Sequence, residues 1–307
     1  CRIYTDAVTD TAFIIDNKII NGPSFQHRNP KNAEVSENIV FQKGTPKLKK
    51  KLSGTVFSLL TGGGGNANYW HWLFDVLPRL KILQTKKNLE EINFFLFPDI
   101  KEKYQFESLD ILNIPLNKRI SSKIFRHTQA DIALAVDHPY VLKNDASNEI
   151  QDLPKWILEY LRKKFIKKQS KKKFSGKFYI DRRDAKSNHR HLRQIINEQE
   201  VKEFLIKRGF SIIALSNLSF EDQVNLFNHA SQIVGLHGAG FANLTFCNPE
   251  TKVLELKPIG AGLVIANLAK KIKLNYQEIS PQPLKHSNNN QQGLIEIPLN
   301  LLEKKIS

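Results

Sequence analysis

Methionine is absent from this sequence of 307 residues, and cysteine occurs only at Cys1 and Cys247. Two cysteines do not build a disulfide framework, so we expect the chain to work in a reducing compartment. The sequence has no run of 18 apolar residues, which argues against a transmembrane helix. Because no methionine stands at position 1, we expect that the natural start has been trimmed.

Acidic residues are scarce relative to basic ones. The chain has 30 aspartates and glutamates against 46 lysines and arginines, which gives a formal net charge of +16. This charge predicts an anionic partner, such as nucleic acid, a membrane surface or a phosphorylated substrate, although a solvated basic surface would also explain it. Basic residues crowd between Lys163 and Lys173, and this tract could bind an anionic membrane peripherally.

Strand-like and helix-like segments alternate along the chain and predict an α/β protein. Strands separated by single helices favour parallel sheets with helices on both faces. The basic tract precedes a fresh strand, so we expect an N-terminal domain over 1–175 and a C-terminal domain over 176–307, with a last helix that could pack back on the first domain. The predicted strands are 12–20, 55–60, 92–97, 130–136, 177–181, 210–215, 232–236, 252–256 and 273–279.

The segment SQIVGLHGAGFANLTF joins a strand, a turn of small residues and the start of a short helix. Small residues let a ligand approach the backbone, and the N–H groups and dipole at a helix start favour an anion. The spacing differs from Walker A and from GxGxxG, and a tight turn without a ligand is the alternative. The candidate residues of this turn are His237, Gly238, Ala239 and Gly240.

Three more candidates belong to the same predicted domain. Arg182 follows its first strand and suits a diphosphate, unless it only pairs with Asp184. Glu255 stands at the end of a later strand and could accept hydrogen bonds from ribose hydroxyls, as acidic residues do in dinucleotide sites. Asn197 could contact a ligand or could simply cap its helix.

Taken together, these segments resemble the pattern of glycosyltransferase family 61. The resemblance is carried over residues 177–258 by YIDRR, Arg193, the run NEQE, SNLSFEDQVNLFNHA, IVGLHGAGFANLTF and VLEL, and in the first half by HWLFDVLPRL. The chain departs from the family at Gln194, where the family has the second arginine of a pair. Donor contacts of that arginine therefore do not carry over.

The resemblance implies a GT-B-like architecture, in which two Rossmann-like domains face each other across a cleft. The first would bind a glycan or lipid-linked glycan acceptor, and the second a nucleotide sugar, with a UDP-sugar as the expected donor. The implied reaction is inverting transfer of a hexose or pentose in surface or capsular polysaccharide synthesis, in the bacterial cytoplasm or at the inner face of the membrane. The implied donor-binding residues are Arg182, Arg193, Asn197, Glu198, Glu200, His237, Gly238, Ala239, Gly240, Asn243 and Glu255.

The stretch GGGGNANYWHWLFDVLPRL leads from a glycine loop into a helix predicted over 68–86. On that helix His71, Asp75 and Arg79 share one stripe beside an apolar one. Pro78 has no N–H to donate, so the helix should kink or restart there. We expect the loop before it to be a mobile element at the cleft; its candidate residues are Gly64, Gly65, Asn66 and Asn68.

Inverting transfer needs a base that takes the proton of the acceptor hydroxyl. His71 is the first candidate because the unperturbed pKa of histidine lies near neutral pH, and Asp75, one turn on, could orient its ring. Asp75 could instead be the base itself. In a third interpretation the two residues form a buried pair that only stabilises the helix.

The sequence contains no Asp-x-Asp motif, so we expect that neither a metal ion nor another cofactor is required. Arg182, His237 and the amides of 238–240 would then stabilise the leaving diphosphate. The alternative function is a basic nucleic-acid-binding α/β protein without catalytic activity. The basic tract has few interleaved aromatic residues and no recognised motif, so we expect no nucleic-acid partner. A third alternative is a dehydrogenase with a Rossmann-like domain. The sequence has no GxGxxG after its first predicted strand, which counts against that function.

Overall fold

The computed structural model describes residues 1–5, 10–24, 35–61, 68–140, 153–166, 174–183, 193–284 and 293–307. They form two compact units, of which the first ends at Lys164 and the second takes up the chain from Phe165, whereas the sequence placed the boundary after residue 175. Each unit has an α/β structure, as predicted. No helix among the described residues is long and apolar enough to cross a bilayer.

The first unit contains one seven-stranded sheet. Its strands are β1 (Arg2–Thr5), β2 (Thr11–Ile15), β3 (Lys18–Ile19), β4 (Lys50–Ser58), β5 (Phe94–Phe97), β6 (Arg119–Ser121) and β7 (His127–Leu134). Their order is β3-β2-β1-β7-β4-β5-β6. The pairs that involve β1 or β2 are antiparallel, whereas β7, β4, β5 and β6 run parallel. The predicted Rossmann-like parallel arrangement therefore holds only for β7, β4, β5 and β6.

The single strand predicted over 12–20 is wrong, because the chain turns in its middle. Asp16 and Asn17 adopt left-handed conformations with φ of 48° and 61°, and they connect β2 to β3 as a hairpin. Aspartate and asparagine tolerate this region better than most residues do. Because the residues on both sides of the turn are mostly apolar, the sequence predicted one continuous strand.

The helices of the first unit begin after β3. They are α1 (Ile39–Lys43), α2 (Tyr69–His71), α3 (Leu77–Leu83) and α4 (Lys103–Ile111), and α5 (Lys155–Phe165) runs up to the division between the units. A π turn, Trp72–Val76, joins α2 to α3, because the N–H of Leu77 bonds to the carbonyl of Trp72 five residues back. Pro78 lies in the first turn of α3, where its missing N–H is tolerated. The irregularity predicted at Pro78 therefore lies in the π turn before it, and α3 begins at Leu77, one residue before the proline.

The second unit contains a five-stranded parallel sheet and a separate two-stranded one. The strands are β8 (Lys177–Asp181), β9 (Arg193–Ile195), β10 (Ser211–Ala214), β11 (Gln232–Leu236), β12 (Lys252–Leu256), β13 (Asn275–Ile279) and β14 (Gly293–Ile295). The larger sheet has the order β10-β8-β11-β12-β13, and β9 pairs with β14. After β8 the next strand of this sheet, β10, lies on one side of β8, and the strand after that, β11, lies on its other side. The winding therefore reverses between β8 and β11, and ligands of such sheets bind beside this switch point, at the carboxyl ends of the strands.

Among the described residues of this unit, four α-helices cover the sheet. They are α6 (Glu198–Ile206), α7 (Phe220–Asn228), α8 (Val264–Ile272) and α9 (Leu299–Ile306). The side chain of Ser219 caps α7, because it accepts a hydrogen bond of 3.1 Å from the N–H of Asp222. In α9, Leu302 and Ile306 are buried in the core of the second unit. The sequence had allowed the alternative that this last helix packs on the first domain.

The segment after β11 is a 3-10 helix, Ala239–Phe246, with tighter turns than the α-helix whose dipole the sequence reading invoked. The N–H of Phe241 bonds to the carbonyl of Gly238, three residues back. The side chain of Asn243 also donates to the carbonyl of Gly240 at 3.2 Å. This local hydrogen bond occupies a carbonyl that an α-helical N–H would otherwise use.

Candidate functional site

Arg79 joins the ends of two neighbouring strands in the first unit. Its Nη1 donates to the carbonyl oxygens of Leu60 at 3.0 Å and Val136 at 3.4 Å, which lie just beyond β4 and β7. Its Nε donates to the main-chain oxygen of Asp75 at 2.9 Å. Burial lowers the pKa of Arg79 to about 10, and the Asp75 carboxylate opposes that shift. The arginine stays charged at neutral pH and holds the π turn against the carboxyl ends of β4 and β7.

Three side chains surround the carboxylate of Asp75. Its Oδ2 lies 2.7 Å from Nδ1 of His71, and its Oδ1 accepts a hydrogen bond of 2.7 Å from the hydroxyl of Tyr140. Nε2 of His138 lies 3.7 Å from the same Oδ1. Helical spacing predicted the contact between His71 and Asp75. The sequence reading missed Tyr140 and His138; the available signal was their position just after the strand that pairs with β4.

The geometry gives His71 and Asp75 different chemistry. Asp75 is 1% exposed, and burial alone would raise its pKa, but the rings of His71 and His138 outweigh burial and hold the pKa of Asp75 well below its usual value. An ionised carboxylate only accepts, so Nδ1 of His71 carries the proton of their hydrogen bond. The His71 side chain is 15% exposed. In its neutral form it keeps a lone pair on Nε2, which can take a proton.

Asn68 begins the helical segment that carries these residues. Its Oδ1 accepts a hydrogen bond of 3.0 Å from the N–H of Trp70, so its side chain caps α2. Gly64, Gly65 and Asn66, which the sequence placed in the same loop, lie outside the described residues.

In the second unit, two arginines converge beside the switch point. Arg182 follows β8, and His237 follows the neighbouring β11. The main-chain oxygen of His237 accepts hydrogen bonds from Nη1 of Arg182 and, at 3.0 Å, from Nη1 of Arg193. Burial and the charge of Arg182 lower the pKa of Arg193 to about 10, and Glu255 opposes the shift. Two guanidinium groups on one carbonyl concentrate positive charge where an anion can bind.

Gly238 lies directly against Arg182. A Cβ added at Gly238 would come within 2.5 Å of Nη1 of Arg182. The φ of Gly238 is 169°, an extended conformation open to any residue, so the requirement for glycine is steric. At Gly240 an added Cβ would meet Cδ1 of Leu215 at 2.9 Å. The sequence predicted close approach of a ligand at this turn; the structure shows that the protein itself approaches closely.

His237 and Glu255 form a buried pair. Nδ1 of His237 hydrogen-bonds to Oε1 of Glu255, and the hydroxyl of Tyr276 donates to Oε2. His237 is 4% exposed and Glu255 is 1% exposed. The carboxylate predicted to meet a ribose is therefore enclosed, with both oxygens bound by protein groups.

A second carboxylate, which the sequence reading missed, lies beside this pair. Oε2 of Glu278 is 2.7 Å from Nζ of Lys257 and 2.9 Å from the hydroxyl of Tyr276, and its Oε1 accepts a hydrogen bond of 3.0 Å from Ser280. Burial would raise the pKa of Glu278, but these contacts outweigh it and lower the pKa. Its side chain is 39% exposed, so an ionised carboxylate reaches solvent here.

Asn197 and Glu198 make contacts within the second unit. Asn197 occupies the N-cap position of α6 without a side-chain cap bond, and its amide instead pairs with the main chain of Ile297 in both directions, at 2.9 and 3.0 Å. Glu198 accepts a hydrogen bond of 3.1 Å from Tyr179 and lies 3.2 Å from Lys202. Both groups therefore hold their own unit together, and their donor contacts stay predictions.

Asn243 and Glu200 complete the predicted donor set. Asn243 is fully buried, and its amide donates to Gln223 at 3.1 Å as well as to the carbonyl of Gly240. Glu200, in the first turn of α6, is exposed. Among the described residues, no group of three or more His, Cys, Asp or Glu is arranged to hold a metal ion.

Comparison with known protein families adds an independent finding. The family model described as Glycosyltransferase 61 matches residues 69–254, more than half of the chain. The matched region begins with α2 and ends within β12, so it covers the His71–Asp75 pair, Arg182 and the turn at His237. No curated protein matches the chain significantly.

Proposed function

Because this chain belongs to glycosyltransferase family 61, we propose that it moves a hexose or pentose from a UDP-sugar to a hydroxyl of a glycan or lipid-linked glycan, with inversion. The observation that supports this most is the pair of His71 with the buried, ionised Asp75. In this pair His71 is the general base that acceptor activation requires, and Asp75 holds its ring in one orientation.

The proposed step is a single displacement at the anomeric carbon. The acceptor O–H proton moves to Nε2 of His71 while the acceptor oxygen bonds to the anomeric carbon. The bond from that carbon to the diphosphate oxygen breaks, and its electron pair leaves with the nucleoside diphosphate. Asp75 is a poor base for this step, because it is enclosed and its pKa is depressed. Its role is to orient His71 and stabilise the imidazolium that forms.

The leaving diphosphate gains negative charge as the bond breaks. Arg182 and Arg193 supply positive charge beside the switch point of the second unit, and His237 with the amides of 238–240 supplies hydrogen-bond donors. We propose that these groups do the work that a metal ion does in other transferases. No metal or other cofactor is then required.

The basic tract has a use in this proposal. Lys163 and Lys164 are exposed at the end of α5, and the tract continues to Lys173 outside the described residues. We propose that it holds the enzyme at an anionic membrane on the cytoplasmic side, where lipid-linked acceptors of surface or capsular polysaccharides are found.

The donor class can be tested with a panel of nucleotide sugars. The purified chain is incubated in water with UDP-, GDP-, CMP- and dTDP-sugars, so that water takes the place of the acceptor hydroxyl, and release of the free nucleotide is followed over time. We expect release from a UDP-sugar, abolition by His71→Ala, and normal release by His229→Ala, a matched histidine of the second unit outside the site. Equal release by wild type and His71→Ala would contradict the proposed base.

A further inference from the structure

The strand register places the two carboxylates of the second unit side by side. Glu255 of β12 is directly opposite Glu278 of β13, and Gly235 of β11 is opposite Glu255. Neighbours in register on parallel strands point to the same face of a sheet. His237, Lys257 and Ser280 stand two residues further along these strands, on the same face. The carboxyl edge thus places His237 beside Glu255, and Lys257 and Ser280 beside Glu278.

The two carboxylates differ in access. Glu255 is enclosed by His237 and Tyr276 and is 1% exposed, so a nucleotide hydroxyl has no approach to it. Glu278 has a side chain that is 39% exposed, yet it is held in one orientation by Lys257 and Ser280. Each carboxylate oxygen can accept two hydrogen bonds. Oε2 of Glu278 already contacts Lys257 and Tyr276, whereas among the described residues Oε1 accepts only from Ser280, so Oε1 can accept one more.

We propose that Oε1 of Glu278 accepts a hydrogen bond from a ribose hydroxyl of the donor nucleotide, and that Glu255 acts only by orienting His237. This rests on the proposed use of a nucleotide-sugar donor. Dinucleotide-binding sheets receive the ribose at a strand-end carboxylate near the switch point. In this chain Glu255, on the strand next to β11, is enclosed, and Glu278 on the edge strand β13 is the accessible carboxylate of the register pair.

The test compares binding of UDP and 2′,3′-dideoxy-UDP by calorimetry. Wild type should prefer UDP by roughly tenfold or more, because a hydrogen bond to a charged acceptor is lost with the hydroxyls. Glu278→Gln should largely erase this preference. The ratio of the two affinities is the readout, since removing a negative charge near a diphosphate strengthens binding of both ligands. Glu296→Gln, at an exposed glutamate of the same unit, should keep the full preference.

Two further variants keep the test decisive. Glu255→Gln should retain the preference for UDP. Ser280→Ala removes one hydrogen bond that orients Glu278, so it should reduce the preference. This variant replaces Glu278→Gln if the latter fails to fold. Retention of the preference in Glu278→Gln and Ser280→Ala would overturn the assignment. So would an effect of Glu278→Gln on a UDP-sugar but not on UDP. Binding of UDP without any preference would overturn this inference alone, and absence of UDP binding would contradict the proposed donor as well.

Discussion

The hydroxyl of Tyr140 donates a 2.7 Å hydrogen bond to Oδ1 of Asp75, whose other oxygen is held by His71. Tyr140 follows β7 and Asp75 lies in the π turn after β4, so the contact joins elements at the ends of two paired strands. Tyr140 thereby holds the carboxylate oxygen of Asp75 that His71 does not contact. The orientation of His71 depends on a residue that is 65 positions from Asp75 in the chain.

We expect Tyr140→Phe to lower kcat with little change in nucleotide affinity. The change removes one hydrogen bond to a buried carboxylate, so the imidazole of His71 is held less firmly. The loss should be about tenfold, against roughly 100-fold or more for His71→Ala, which removes the base itself. Steady-state kinetics together with UDP titration separate the two effects. A variant that loses UDP affinity in proportion to kcat would show that Tyr140 supports the fold rather than the base.

Asp75→Asn should destabilise the first unit in a pH-dependent way. The folded pKa of Asp75 lies below its unfolded value of about 3.9, so its contribution is present above that value and is lost as pH falls toward the folded pKa. We expect about 3 kcal/mol between wild type and variant at pH 6, because a buried ionic contact is broken. Denaturant unfolding at pH 6, 5, 4 and 3 measures this difference. A difference that stays constant to pH 3 would contradict the depressed pKa.

Gly238→Ala should weaken nucleotide binding only through Arg182. The added methyl would meet Nη1 of Arg182 at 2.5 Å and push the guanidinium out of place. In an Arg182→Ala background that clash disappears, so the second substitution should have little further effect. A double-mutant cycle on UDP affinity measures the coupling. Equal weakening by Gly238→Ala in both backgrounds would mean that the methyl meets the ligand itself.

Transfer should continue in the presence of EDTA. In this account protein cations stabilise the leaving diphosphate, so chelation has no target in the reaction. Nucleotide release is measured with and without EDTA and with added manganese. Full loss of activity in EDTA that manganese restores would contradict metal independence.

The chain should bind vesicles that contain anionic lipid and should not bind neutral ones. Each basic residue near an anionic surface contributes ~1 kcal/mol, so glutamine at Lys171, Lys172 and Lys173 should release most of the protein. Vesicle flotation at low and high salt measures the effect. Equal flotation with neutral vesicles, or no flotation with either kind, would contradict the proposed contact with an anionic membrane.

Local patterns predicted the parts of this molecule that local forces determine. The strands at 232–236 and 252–256 match the structure to the residue, because each is a short segment rich in valine, isoleucine or leucine and bounded by turn residues. Helical spacing brought His71 and Asp75 together. The partners Tyr140 and Glu278 could not be found in this way, since their contacts depend on strand order and register. Strand-end position likewise did not reveal that Glu255 is enclosed, because Tyr276 covers it from the next strand.

Calorimetric titration of UDP into the purified chain tests the proposed UDP-sugar site of the second unit. We expect that wild type binds UDP, that Arg182→Ala binds it at least tenfold more weakly, and that His71→Ala binds it as wild type does while it transfers sugar roughly 100-fold more slowly or worse. Equal affinity of wild type and Arg182→Ala, or no binding of UDP by wild type, would contradict a UDP-sugar site at the switch point of the second unit.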